Sequence, residues 1–181
     1  MKILSLFALV ASLSACAPMP TMNFVPDDIR PTAKKIQAEL RTVSISTAKE
    51  EERQGRLLVG FAGNSFESSF KAEFKNALEE ALAKSAIFDD LNDKKVSLTA
   101  KVMEHDHPNF SSTFVTTTTV RYELYDRKDG RLIFKTDITS KGETPFDYAF
   151  KGAIRATESR NRSMRNNISL FVEALQKPDV F

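Results

Sequence analysis

The chain has 181 residues and a mass of 20.3 kDa, room for one domain and too little for two full ones. Hydrophobic residues make up 41% and charged residues 28%, a soluble-globular balance that argues against a disordered chain or a multi-span membrane protein. The 26 basic and 24 acidic side chains nearly cancel, so nucleic acid is not an expected partner; one Cys and two His exclude an intrachain disulfide and a thiolate zinc cluster.

The first residues decide the expected compartment. Lys2 supplies a short positive start, and residues 3–13 form an apolar run too short to cross a bilayer as a stable helix. Small residues Ser14 and Ala15 follow, then the sole cysteine, Cys16. The tetrapeptide Leu13-Ser14-Ala15-Cys16 resembles the lipobox of bacterial lipoprotein precursors. That resemblance implies that residues 1–15 are a cleaved signal peptide and that Cys16 becomes a lipidated N-terminus with a diacylglycerol and an N-acyl chain such as palmitate. Burial contributes about 0.8 kcal/mol per CH₂, so two or three chains would hold permanently where one holds only marginally. Ala17 rather than Asp follows the cysteine, which by the same resemblance implies the outer membrane, facing the periplasm.

Residues 16–34 are expected to be the lipidated cysteine and a tether. Pro18, Pro20, Pro26 and Pro31 fix φ and remove donors, so the stretch should run extended and unpaired. At about 3.3 Å per residue it would reach roughly 50 Å from the lipid. Residues 35–177 then form a single domain.

Within that domain, residues 35–48 carry Ile36, Leu40, Val43 and Ile45 at strand-like spacing. A charged turn over 49–55 leads to a second short strand over 57–61, and the two are expected to pair as a hairpin. Residues 65–85 form an amphipathic helix with Phe66, Phe70, Phe74, Ala77, Leu78, Ala81 and Leu82 in one stripe. Asn64 is its expected N-cap and Glu67 the capping-box partner. Val96, Leu98, Ala100 and Val102 alternate with polar residues as a half-buried strand, followed by a polar turn over 104–111.

Residues 112–126 make a long β-branched and aromatic strand with Phe114, Val120, Tyr122 and Leu124 inward and Thr117 and Thr119 outward. A turn over 127–130 uses Gly130 at positive φ, and residues 131–141 return with Leu132, Phe134 and Ile138 on one face. Thr144 and Pro145 are expected to cap and open a last helix running to about Gln176. Its stripe is Phe150, Ala153, Thr157, Asn161, Met164, Ile168, Phe171 and Leu175, weakest between Thr157 and Asn161. The expected order is β-β-α-β-β-β-α: an α+β two-layer sandwich, an antiparallel sheet of about five strands with two helices on one face.

Four features bear on chemistry. His105 and His107 flank Asp106, and in an extended strand both imidazoles face one side, where with a further carboxylate they could take Zn²⁺ or Cu²⁺. A solvated turn before Pro108 with two ordinary histidines accounts for the pattern better. Lys151, Arg155, Arg162 and Arg165 fall within about 80° of one another on the last helix. That stripe could meet anionic lipid headgroups, lipopolysaccharide phosphates or an acidic partner. A solvated helix face with internal ion pairs is the simpler account. The run Thr116 to Thr119 is either a docking face or ordinary solvated sheet. No nucleophile elbow, phosphate loop or dinucleotide fingerprint occurs, so an enzyme is not expected.

Several residues of the mature chain resemble small bacterial envelope lipoproteins of the LpoB and YajG types. They are Tyr122-Glu123-Leu124-Tyr125-Asp126, Gly130, Ala153, Arg155, Glu158, Asn167-Ile168, Phe171 and Leu175, with Phe74, Ala77, Leu78 and Leu82 in the first helix. The resemblance implies fold and location and brings no catalytic residue. The expected function is a membrane-anchored periplasmic lipoprotein, acting as a non-catalytic binding or adaptor module for an envelope protein or glycan. The alternatives are lipid or lipopolysaccharide binding and, behind it, periplasmic metal binding.

Overall fold

The computed structural model describes residues 21–58 and 64–177. The leader, Cys16, Pro18, Pro20 and residues 59–63 lie outside the described residues, as do the side chains of Asn64 and Phe66, so the expected N-cap is not read. Six principal elements follow one another: β1 (Glu39–Thr47), α1 (Asn64–Ser85), β2 (Lys95–Asp106), β3 (Phe114–Asp126), β4 (Leu132–Thr144) and α2 (Gly152–Leu175). The class is α+β, with two helices on a single open sheet of four strands in the order β1-β2-β3-β4.

The sheet differs from expectation in count and in direction. β1 pairs with β2 in parallel, while β2–β3 and β3–β4 are antiparallel. A parallel pair needs a crossover, and α1 is that crossover. The hairpin expected between 35–48 and 57–61 does not form over the described residues, because this stretch continues the same edge. After Thr47 a single turn of 3-10 helix (Glu50–Glu52) lifts the chain away from β2. It then returns in the original direction: His105 N donates to Arg56 O and Leu58 N to His105 O, both at 2.9 Å. The rest of that expected strand, 59–61, lies outside the described residues.

β2 runs on through His105 to Asp106, where a turn from Glu104 was expected, because Glu104, His105 and Asp106 pair with Thr119, Thr118 and Thr117. The β3–β4 turn is as read, with Gly130 at φ 73°. α2 starts later than expected. Thr144 is buried at the end of β4, paired with Phe114, and caps nothing. A 3-10 turn (Phe146–Tyr148) intervenes, and α2 begins at Gly152. Phe150 therefore precedes the helix and is exposed, and Ala153 faces solvent.

The core lies between helices and sheet. Phe70, Phe74, Ala77, Leu78, Ala81 and Leu82 of α1 meet Val96, Leu98, Ala100 and Val102 of β2 and Val120, Tyr122 and Leu124 of β3, with Met164, Ile168, Phe171 and Leu175 of α2. Residues 21–34, read from the sequence as part of a tether, have no regular secondary structure but pack on the helical layer. Phe24 is 1% exposed and sits edge-on to Phe70, with ring centroids 5.2 Å apart. Asn161 of α2 accepts from Asn23 N at 3.2 Å and donates to Thr21 O at 3.1 Å. With no strand partner, this segment is held by its buried ring, by side-chain hydrogen bonds and by Thr32 N, which donates to Ser85 O at 2.9 Å.

Candidate functional site

Cys16 and its surrounding motif lie outside the described residues. Among the described residues no helix is long and apolar enough to cross a membrane.

The two histidines are inside the protein. His105 is fully buried, its Nδ1 2.9 Å from Thr118 Oγ1, its ring centroid 5.1 Å from that of Phe70, and its Nε2 without a hydrogen-bond partner. His107 lies on the same side, with ring centroids 6.4 Å apart. Burial, then the charge of Arg160 and then His107, push the pKa of His105 down to about 3. Burial and Arg160 also lower that of His107. Both rings are thus held neutral. The positive charge that disfavours their protonation also opposes a metal cation, and among the described residues no group of three or more His, Cys, Asp or Glu could hold one.

The arginines of α2 are occupied with holding the fold. Arg155 is 5% exposed. Its Nη1 donates to Ala149 O at 2.6 Å and Phe150 O at 3.0 Å, and its Nη2 to Ser111 O at 3.4 Å. The guanidinium also lies over the rings of Phe146 and Phe114, 4.8 and 5.6 Å from their centroids. Arg162 pairs with Glu158 at 2.9 Å, donates to Glu143 O at 2.8 Å and lies 5.1 Å over the Tyr148 ring. Arg165 joins Glu158 at 3.3 Å and Asp27 at 3.8 Å. Lys151 is exposed just ahead of the helix. The four cations do not make one open stripe, and reversing Arg162 to Glu would set two carboxylates against each other.

The threonine run divides by parity. Thr116 and Thr118 point inward: Thr116 Oγ1 is 2.8 Å from Ser159 Oγ, and Ser163 Oγ donates to Thr118 Oγ1 at 2.8 Å. Thr119 Oγ1 donates to Glu104 at 3.0 Å and lies 2.9 Å from Thr139 Oγ1 on the other face. That face is laced by the pairs Arg121–Asp137, Lys101–Glu52 and Lys135–Glu123.

Two surface features were not anticipated. A groove of about 290 Å³ lies between the C-terminal half of α1 and β1, with Leu40, Val43, Leu82 and Phe88 at its base and Arg41, Glu79 and Asp90 among its polar lining. At the end of the sheet where β3 begins and β4 ends, Phe110, Val115, Phe146, Tyr148 and Phe150 are all exposed, Phe110 at 95% and Phe150 at 91%. The sequence signal for the second feature was partly present: Phe110, Phe146 and Tyr148 belong to no apolar stripe, whereas Phe150 was read into the stripe of α2.

No family model matches the chain, and no curated protein does. A solved structure does share its fold. Protein XCC0632 from Xanthomonas campestris, of the DUF330 family, superposes with a TM-score of 0.52 at 14% identity, covering 87% of this chain and 94% of that one. The hypothetical protein CT253 of Chlamydia trachomatis gives 0.45 at 11% identity, over 80% and 99%. A minor lipoprotein from Acinetobacter baumannii gives 0.42 at 12% identity, over 74% and 89%. At 14% identity the likeness to the Xanthomonas protein is one of fold alone.

Proposed function

We propose that the chain is a lipid-anchored envelope protein, held at the outer membrane and facing the periplasm, whose domain binds another envelope component without catalysing a reaction. The observation that carries this reading is Leu13-Ser14-Ala15-Cys16 at the end of a short apolar leader, eight residues ahead of the first buried ring, Phe24. An extended stretch of eight residues spans at most about 28 Å, enough to set a lipid apart from the core. The buried histidines and the structurally engaged arginines are accounted for by folding, so the partner is sought among proteins or glycans of the envelope rather than among metal ions.

The test is mass spectrometry of the N-terminal peptide from membrane-extracted protein. The reading expects a peptide that begins at Cys16 and carries a diacylglycerol and an N-acyl chain, and it expects Cys16→Ser to leave the leader uncut. A free Cys16 thiol would end it. For the binding role, crosslinking in intact cells should recover a defined envelope component, and turnover of a substrate by the isolated protein would contradict it.

A further inference from the structure

The exposed aromatic residues at the β3–β4 end stand on two loops that one buried cation ties together. Phe114 pairs with Thr144, which brings the loop before β3 and the loop after β4 side by side. Arg155 joins the two loops by donating to Ser111 O in one and to Ala149 O and Phe150 O in the other. Its guanidinium also stacks on Phe146. With the loop backbones fixed in this way, Phe110, Phe146 and Phe150 are exposed at this end of the domain, with Val115 beside them, while Tyr148 lies under Arg162 along α2. Exposed phenylalanines grouped on a fold with a full apolar core are a standing cost in water. Around these rings Lys151 and the buried Arg155 are matched by Asp147 and by Glu143, which pairs with Val115 across the sheet, so the surface carries two charges of each sign.

The position of the chain's entry into the fold sets how far from this tip an anchor can lie. Thr21, the first described residue, is held by Asn161, nine residues along α2 from Gly152 at the tip end. At 1.5 Å per residue that is about 13 Å along the helix axis. Cys16 precedes Thr21 by five residues, which span at most about 18 Å when extended. The anchor can therefore reach the level of the tip, and the Asn161 contacts shorten the free tether from the roughly 50 Å inferred from proline content to this short stretch.

We propose that the aromatic tip is the surface by which the domain rests on the lipid bilayer beside its own anchor, with Phe110, Phe146 and Phe150 in the interfacial region. This rests on the lipid-anchor reading above. Aromatic side chains settle at the membrane interface, and an anchor a few residues away raises the local concentration of bilayer far above what a free domain would meet. Because Lys151 and Arg155 are offset by Asp147 and Glu143, docking does not require anionic lipid.

The chain has no tryptophan, so one can be introduced as a unique fluorophore. The full lipidated chain carrying Phe150→Trp, and a second carrying Leu132→Trp beside the β3–β4 turn at the opposite end of the sheet, would be reconstituted into phosphatidylcholine vesicles with brominated acyl chains. The expected result is a blue-shifted emission from the indole at position 150, quenched several-fold more strongly than the indole at position 132, with unchanged quenching when anionic lipid is added. Equal, weak quenching at both positions overturns the docking. So does a blue shift at position 150 without bromine quenching, which would instead mark a second copy of the chain or another protein on the tip. The mass of the N-terminal peptide is read on the same sample. If Cys16 is lipidated and the Phe150→Trp fluorophore is unquenched, only the docking falls; if Cys16 is unmodified, the anchor reading falls and the docking with it.

Discussion

The hydroxyl of Tyr122, at the centre of β3, donates to Asn167 Oδ1 of α2 at 2.9 Å in a region closed to water. The Asn167 amide nitrogen faces Ile138 O at 2.9 Å, Ser140 Oγ at 3.0 Å and Thr118 O at 3.2 Å, so one side chain ties α2 to β3 and β4 together. Burial raises the Tyr122 pKa well above its usual value, so the phenol stays a donor at any ordinary pH. Asn167→Ala strands several polar groups at once and is expected to cost about 3 kcal/mol. Tyr122→Phe keeps the ring stacked on Phe171, at 3.8 Å and 5°, and should cost about 1–2 kcal/mol. Urea unfolding of the two single variants and the double variant checks both numbers, and the double should cost less than their sum.

Gly142 of β4 marks the closest approach of α2 to the sheet. A Cβ there would overlap the backbone at Ser159 O and Ser163 N and lie 2.9 Å from Arg162 C. None of these is a flexible side-chain end, so Gly142→Ala must push α2 away from β4 and break the bonds of Ser140 and Ser163 along the same seam. The expected loss is about 3 kcal/mol or more. Gly130→Ala is the control: it meets nothing within 4 Å, and its φ of 73° should cost about 1 kcal/mol. Equal melting temperatures for the two variants would contradict the close approach.

Phe24 tests where the fold begins. Its ring is as buried as that of Phe70 in α1, although it stands in a proline-rich stretch with no regular structure. Phe24→Ala is expected to cost about 3–4 kcal/mol. A chain shortened to begin at residue 35 should lose at least as much, because it also loses the bonds of Asn23 and Thr21 to Asn161 and of Thr32 N to Ser85 O. Thermal melts of the two against the full domain give the comparison.

What could be read from sequence follows which interactions are local. α1, β3 and the C-terminal half of α2 carry apolar periodicity in their own residues and stand where it put them, and the β3–β4 turn stands where Gly130 marked it. The errors fall where the partner is distant. Residues 57–58 looked like a hairpin partner for β1 because the charged run before them looks like a turn; their real partner, His105, is nearly fifty residues away. α2 runs unbroken through the weak stretch of its stripe at Thr157 to Asn161. There the helix meets β3 and β4 through Ser159, Ser163, Thr116, Thr118 and Gly142, small residues that allow close approach and satisfy one another. Hydroxyl side chains carry no mark of burial in a sequence, since each becomes an inward residue only through a partner on another element. Arg155 was legible as a cation but not as a clamp, for the same reason.

His105 makes stability depend on pH in a defined window. In the unfolded chain its pKa is near the ordinary 6.5; in the fold, burial first and the charge of Arg160 second push it to about 3. Between those values the unfolded state binds the extra proton, so stability rises with pH and is lost as pH falls below about 6.5, at about 1.4 kcal/mol per unit well inside the window. From pH 7 to 5.5 His105 alone should remove about 1 kcal/mol, and His107, shifted in the same direction, adds to it. Below pH 5 the carboxylates of Glu39, Glu52, Glu67 and Asp137, whose pKa values hydrogen-bonded cations hold down, begin to contribute with the same sign, so the histidine effect is read above that point. His105→Asn keeps a polar group near Thr118 Oγ1 and cannot titrate. Urea unfolding at pH 7.5, 6.5 and 5.5 should show a clearly smaller fall for this variant than for the parent, and parallel pH profiles would show that His105 is not the group responsible.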